Sequence, residues 1–251
     1  MNSLSAQALK VVSAYESLPF DEVTGVSVPY FNNKRTGNRG GFRAHKGKGT
    51  PEEIVEEALI FAKQKNLNLS TLTPAQVKEF LVEHKLGVDC SGFVFHILSA
   101  EARSRGITLG SRLSFAHKSL LRRIIARFRL VENTSVLDFV RNSKEISLSE
   151  IAPGDIITIV PPQSSSDRDH MLVILSVEGT NVTYAHSMQY SVDGTWNHGL
   201  KRGHFIIRDP LAPLHLQEFS EGATPGTDLP LVGILSRSDV SVRRILPVSA
   251  K

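Results

Sequence analysis

Residues 86–98 read Leu86-Gly87-Val88-Asp89-Cys90-Ser91-Gly92-Phe93-Val94-Phe95-His96-Ile97-Leu98, and they hold the single cysteine of a 251-residue chain. Asp89 is a natural helix N-cap and Gly106 a natural stop. Phe93, Val94, Ile97 and Leu98 fall on one stripe at helical spacing. The stretch predicts a buried helix that begins at Cys90. One cysteine excludes an intramolecular disulfide and a cysteine-based zinc cluster. Two readings remain: a small buried hydrophobe, the commoner fate of a free cysteine, or a nucleophile.

The thiolate is the reactive form, so a catalytic cysteine needs its pKa lowered. The free N–H groups and the dipole of a helix start favour the anion. The same N–H groups can receive the oxyanion of a tetrahedral intermediate. Ser91 and Gly92 leave the approach to the sulfur open. Asp89 would raise the thiol pKa if it faced the sulfur, so its carboxylate is expected to turn into its cap or toward another partner.

Upstream, Thr50-Pro51-Glu52-Glu53 and Thr73-Pro74-Ala75-Gln76 are two helix starts with capping boxes. The second helix ends near Gly87. Residues 1–49 read as a basic, loop-rich extension that wraps the core. From Asn32 to Gly49 they carry Lys34, Arg35, Arg39, Arg43, Lys46 and Lys48 and no acid. A solvated loop is the plain reading, and an anion-binding loop the alternative. Phe42 is the only aromatic inside it, which disfavours nucleic acid as partner.

Downstream, an amphipathic helix is expected around residues 116–130, with Arg122, Arg123, Arg127 and Arg129 largely outward. Beyond about residue 147 the pattern turns to strands. Ile156–Val160 follows the Pro153-Gly154-Asp155 turn. His170–Val177 and Asn181–Met188 flank a hairpin connection at Glu178-Gly179-Thr180. His204–Arg208 and Val240–Ile245 are later candidates, with a loop at 211–235 between them. Helices first and strands after predict an α+β fold with helices packed on one side of an antiparallel sheet. Four segments follow: the extension 1–49, a helical segment 50–86, a core 87–210, and a loop with a returning strand at 211–251.

A cysteine nucleophile needs a base, and the base an orienter. His170 opens one strand and His186 ends the next, sixteen residues on. An even separation lets them share one face of a hairpin. Direct opposition centres the turn on Glu178, one residue from Gly179, and a small bulge or asymmetric loop absorbs the difference. His170 would take the thiol proton while His186 holds the other ring nitrogen. His198 or His204 replaces His186 if the register fails. The plain rivals are strand-end histidines on the surface or in the core, and a two-His metal site that lacks a third ligand with clear spacing. No metal or other cofactor is expected.

Asp89-Cys90-Ser91-Gly92-Phe93-Val94 resembles the nucleophile motif of NlpC-type cell-wall cysteine peptidases, a papain-like family related to CHAP amidases. Ile151-Ala152-Pro153-Gly154-Asp155-Ile156, His170-Met171-Leu172-Val173-Ile174-Leu175 and Tyr184-Ala185-His186-Ser187 resemble the family's later pieces, in order. The resemblance covers about residues 87–208. It implies Cys90 as nucleophile, His170 as base and then acid, and His186 as orienter. The implied reaction is hydrolysis of an amide in a peptidoglycan stem or cross-link peptide through a thioester acyl-enzyme. The order Cys, His, His disfavours the circularly permuted acyltransferase relatives.

The chain departs from the family in two places near the nucleophile. The family's tyrosine in a Gly-Gly-containing segment is missing just before the nucleophile motif. Pro29-Tyr30-Phe31, followed by Gly40-Gly41, reads as that segment displaced by the two helices, which makes Tyr30 one candidate for oxyanion-side support; Ser91, beside the sulfur, is the other. Leu172 is bulkier than the family's residue two places after the histidine, which would narrow the cleft. An acyltransferase or deamidase on the same fold is one alternative, and a binding module using the basic loop is another. No targeting segment or membrane span is visible, so the expectation is a cytoplasmic protein or one exported without a cleavable signal.

Overall fold

Thr50 and Thr73 start helices as their sequences predict, each closing a reciprocal capping box with the residue three places on. The computed structural model describes residues 2–32, 42–114, 131–165, 168–221 and 230–246. The helices described are α1 (Ala6–Glu16), α2 (Pro51–Gln64), α3 (Pro74–Glu83), α4 (Cys90–Ser104), α5 (Leu109–Arg112), α6 (Val136–Arg141) and α7 (Pro230–Ser236). The strands are β1 (Asn2–Ser3), β2 (Ser143–Glu145), β3 (Ile156–Val160), β4 (His170–Glu178), β5 (Asn181–Met188), β6 (Gly199–Ile206), β7 (Glu218–Glu221) and β8 (Asp239–Ile245). The expected helix at 116–130 lies outside the described residues, as does 33–41 of the basic loop.

The strands form one sheet in the order β2-β8-β3-β4-β5-β6-β7, with β1 paired to the far end of β4. Every pairing is antiparallel. The α+β class therefore holds. The returning strand β8 lies inside the sheet, between β2 and β3, and the stretch 211–235 expected to be loop instead carries β7 and most of α7, because Phe219 and the apolar Leu231, Ile234 and Leu235 are buried against the sheet. Arg244 of β8 clamps Asp155 at 2.9 and 2.8 Å and fixes the turn before β3.

Two further expectations change. The first 49 residues are not loop throughout: Ser5 caps α1, whose Ala8, Val12 and Tyr15 are buried. Tyr15 packs edge-on to Phe93 of α4 at 5.4 Å and donates its hydroxyl to the Gly49 carbonyl at 2.8 Å. Second, the sheet is covered on both faces. Met171, Val173, Leu175 and Ala185 pack with Phe93, Val94, Ile97 and Leu98 of α4. Leu172, Ile174, Tyr184 and Phe205 point the other way, onto Leu231, Ile234 and Leu235 of α7 and the turn residues Leu148 and Leu214. Each such fully buried apolar side chain contributes about 1.5–3 kcal/mol before the entropy of ordering is counted. That two-sided burial makes the ends of β4 and β5 a rigid platform.

Candidate active site

Three segments converge on the residue before the α4 cap. Val88 is bridged by Tyr30 in parallel and by Lys48 in antiparallel sense. The Val88 N–H donates to the Pro29 carbonyl at 3.1 Å and the Asp89 N–H to the Gly47 carbonyl at 2.8 Å. Ser187, next to His186, donates its hydroxyl to the Val88 carbonyl at 2.8 Å. So close a crossing excludes side chains: a Cβ on Gly92 would lie 2.5 Å from the Gly47 oxygen. This small ribbon brings Tyr30, Lys48 and Cys90 together, although 40 residues lie between Gly49 and Cys90 in the chain.

Asp89 turns away from the sulfur, as its position after the ribbon requires. Its Oδ1 accepts the Gly92 N–H at 2.7 Å, the Lys48 ammonium at 2.8 Å and the Ser91 hydroxyl at 3.0 Å. Lys48 is itself buried and also reaches the Thr134 carbonyl at 3.0 Å. The buried carboxylate and ammonium thus satisfy each other and hold the helix start in place. The Ser91 hydroxyl, 2.5 Å from the Lys48 ammonium, belongs to this cluster. Ser91 therefore meets the sulfur through its backbone N–H, not through its hydroxyl.

Cys90 heads α4 and is buried. Burial pushes its thiol up to about 12, and the Asp89 charge adds to the rise. Lys48 and the backbone N–H groups of Met171 and Ser91 pull in the opposite direction. Desolvation outweighs the helix start here, and the sulfur rests protonated at neutral pH.

The histidines meet because of a bulge. The turn Gly179-Thr180 closes on Glu178 opposite Asn181, with Gly179 at φ 61°. That register alone would set His186 across from Val173, on the α4 face. The pairing shifts between Ile174 and Ser176, so Val173 faces Ala185 instead. Leu172 then faces His186, and His170 sits diagonally beside it on the same face rather than directly opposite. His170 Nε2 lies 2.7 Å from His186 Nδ1, and His186 Nε2 lies 2.9 Å from Glu221 Oε1. Tyr184 donates to the same Glu221 oxygen at 2.8 Å.

This chain of contacts dictates where the protons sit. An ionised carboxylate only accepts, so His186 donates from Nε2 to Glu221. With the His186 ring neutral, its Nδ1 is a lone pair and accepts from the Nε2–H of His170. That leaves the Nδ1 lone pair of His170 as the free base. Burial opposes the charge of Glu221, but hydrogen bonds from His186 and Tyr184 hold its pKa below the usual carboxylate range. Burial, then the neighbouring His186, holds His170 well below the usual imidazole range, so it is neutral and able to accept a proton.

The sulfur and the His170 ring approach from different sides of β4. His170 pairs with Ile159 and shares its face, whereas α4 packs the other. Cys90 reaches the strand at the Met171 N–H, one peptide from His170, and no hydrogen bond joins sulfur to ring. Leu172 is buried on the His170 face within the second core, so it does not line the α4 side of the cleft.

Tyr30 stands beside both groups of the helix start. Burial raises its hydroxyl pKa far above the ordinary range, and the nearby Cys90 and Asp89 add to it. The hydroxyl stays protonated and accepts from the Asn32 amide at 3.2 Å, which leaves its own proton to donate. His198 takes the Tyr30 backbone N–H on Nδ1 at 3.1 Å and so positions Tyr30 rather than replacing His186. His204 sits on β6 opposite Thr183, exposed. His96 is bound to the Lys48 carbonyl at 2.9 Å, and His84 lies 2.7 Å from the Phe80 carbonyl. His117 lies outside the described residues. Among the described residues no helix is long and apolar enough to cross a membrane.

Glu221 and Lys48 are the residues that sequence reading misses. Glu221 falls two places after the inward Phe219, a period-two hint that it shares that face. Lys48 is masked by five other cations between Asn32 and Gly49. No family model, no curated protein and no solved structure matches the chain.

Proposed function

We propose that the chain is a cysteine hydrolase of NlpC-like, papain-like design that cleaves an amide through a thioester acyl-enzyme. The observation that carries this reading is the His170–His186–Glu221 line ending in a free imidazole nitrogen one peptide from a helix-start cysteine. The likeness of Asp89-Cys90-Ser91-Gly92 to the wall-peptidase motif makes a peptidoglycan-type peptide the substrate class.

The elevated thiol fixes the order of events. At rest both the thiol and the imidazole are neutral. As the sulfur attacks the carbonyl carbon, its proton passes to His170 Nδ1 by way of a water at the end of β4, since the two groups lie on different sides of that strand. The Tyr30 hydroxyl and the Cys90 backbone N–H receive the developing oxyanion. The C–N bond breaks as His170 returns the proton to the leaving amine. Water, deprotonated by His170, then hydrolyses the thioester and regenerates the thiol. His186, held by Glu221, keeps the His170 ring in the tautomer that this exchange needs.

The same burial supports a second reading, a binding module whose cysteine is a core residue. Cleavage of peptidoglycan stem peptides by the wild type, Cys90→Ala and Cys90→Ser decides between them. The hydrolase reading requires amide cleavage by the wild type and its loss in Cys90→Ala. Wild-type binding without cleavage, or full activity in Cys90→Ala, overturns it.

A further inference from the structure

Helix α2 carries two apolar faces where the fold uses one. Ile54, Val55, Ala58 and Ala62 are buried on its inner face. At about 100° per residue, Leu59 and Ile60 fall on the opposite face, in line with Glu52, Glu56 and Lys63. All five are exposed, Leu59 by 49% and Ile60 by 46%. Among the described residues no other pair of large apolar side chains adjacent in sequence is so exposed. Removing both from water is favourable, and nothing described in the fold does it.

The charges on this outer face are sorted along the helix. Glu52 and Glu56 occupy its first half and repel each other at the i,i+4 spacing. Lys63 lies in the last turn. It is seven residues beyond Glu56, about 10.5 Å along the axis, too far for the two to pair within one helix. Leu59 and Ile60 stand at the midpoint between them. A twofold axis through that midpoint sets a second copy of the helix antiparallel to the first. Glu56 of each copy then meets Lys63 of the other, and the two Leu59-Ile60 pairs pack against one another. The opposed helix dipoles favour the same arrangement. A parallel pair would instead set acidic half against acidic half.

We propose that the outer face of α2 is a self-association surface whose occupant is a second copy of this chain in an antiparallel helix pair. The inference is independent of the hydrolase reading. A contact of a few helical turns falls below the roughly 1,200 Å² of stable interfaces, so the dimer is weak and reversible, with Kd on the order of 10–100 µM.

Sedimentation velocity of the full chain, from about 1 to about 500 µM, tests this. The wild type should show a monomer–dimer equilibrium that weakens in 1 M salt, where the screening length is about 3 Å. Glu56→Lys and Lys63→Glu each set like charges opposite one another twice, so each alone should weaken association by about tenfold or more. Mixed in equal amounts, the two variants should sediment as a heterodimer, because one copy then supplies both lysines and the other both glutamates. The double variant Glu56→Lys/Lys63→Glu should regain the wild-type association. Leu59→Gln/Ile60→Gln keeps good helix formers on the face and should be monomeric. A wild type that stays monomeric throughout overturns the proposal and leaves the face to a different partner. A dimer that these substitutions leave intact, or single charge variants that fail to recombine when mixed, overturns it as well.

Discussion

His186 and Glu221 are joined at 2.9 Å between Nε2 and Oε1, and this contact sets the proton positions of the whole line to His170. A carboxylate can only accept there, whereas an amide can accept or donate. Glu221→Gln therefore loosens the tautomer of His186 and, through it, that of His170. Exchanging the orienting carboxylate of a Ser–His–Asp triad for its amide lowers kcat about 10⁴-fold. Glu221 acts one residue further from the base, so a kcat loss of about 10²-fold is expected, with KM little changed. A pH–rate profile distinguishes this from general damage, because the acid limb should move in Glu221→Gln. Unaltered kcat and profile would show that Glu221 only packs Tyr184.

Cys90 should alkylate slowly. With a thiol near 12, only about one part in ten thousand is thiolate at pH 8. The iodoacetamide rate should keep rising through pH 9.5, without a plateau near 8.5. A plateau near 8.5 would mean that the sulfur is open to water. The single cysteine removes any competing signal.

Stability should fall as the solution is acidified. His170 is held well below its ordinary pKa when folded and protonates near 6.5 when unfolded. Below that pH the unfolded chain binds more protons than the folded one. Stability present above about pH 6.5 is therefore lost as pH drops toward the depressed folded value. His96, His45 and His198 are lowered by burial and act with the same sign. Urea unfolding at pH 7.5 and at pH 5.5 should show the loss, and His170→Gln should reduce it. The same pH dependence in wild type and His170→Gln would refute the burial of a neutral His170.

Lys48→Met should destabilise the fold by about 3–5 kcal/mol, because it strands the buried Asp89 carboxylate without its ammonium partner. Adding Asp89→Asn should recover part of that loss, since the pair is then removed together. Urea midpoints of the three variants test this. An independent, additive effect of the two substitutions would contradict the pairing.

The helix at Cys90 was legible in the sequence because its determinants are local: a cap, a stop and an apolar stripe between them. The β4–β5 hairpin was legible for the same reason, through Gly179 and two alternating runs. Its register was not, because the bulge between Ile174 and Ser176 leaves no residue signature, and one position decides which face His186 takes. The direction of the thiol pKa was not legible, because helix position is local, whereas the burial that opposes it comes from elements distant in sequence such as β4. The Ser91 hydroxyl and Glu221 escaped for a related reason. Their partners, Lys48 and His186, lie 43 and 35 residues away.

The most direct measurement is the mass of the protein caught during turnover. A slow ester or amide of an N-acetylated peptide is mixed with the wild type, quenched in acid and digested. If Cys90 is the nucleophile, the Cys90-containing peptide gains the mass of the acyl group, and hydroxylamine removes it. His170→Gln should suppress the adduct without unfolding the protein. Turnover with no adduct on Cys90, or with the acyl group elsewhere, would contradict the thioester mechanism.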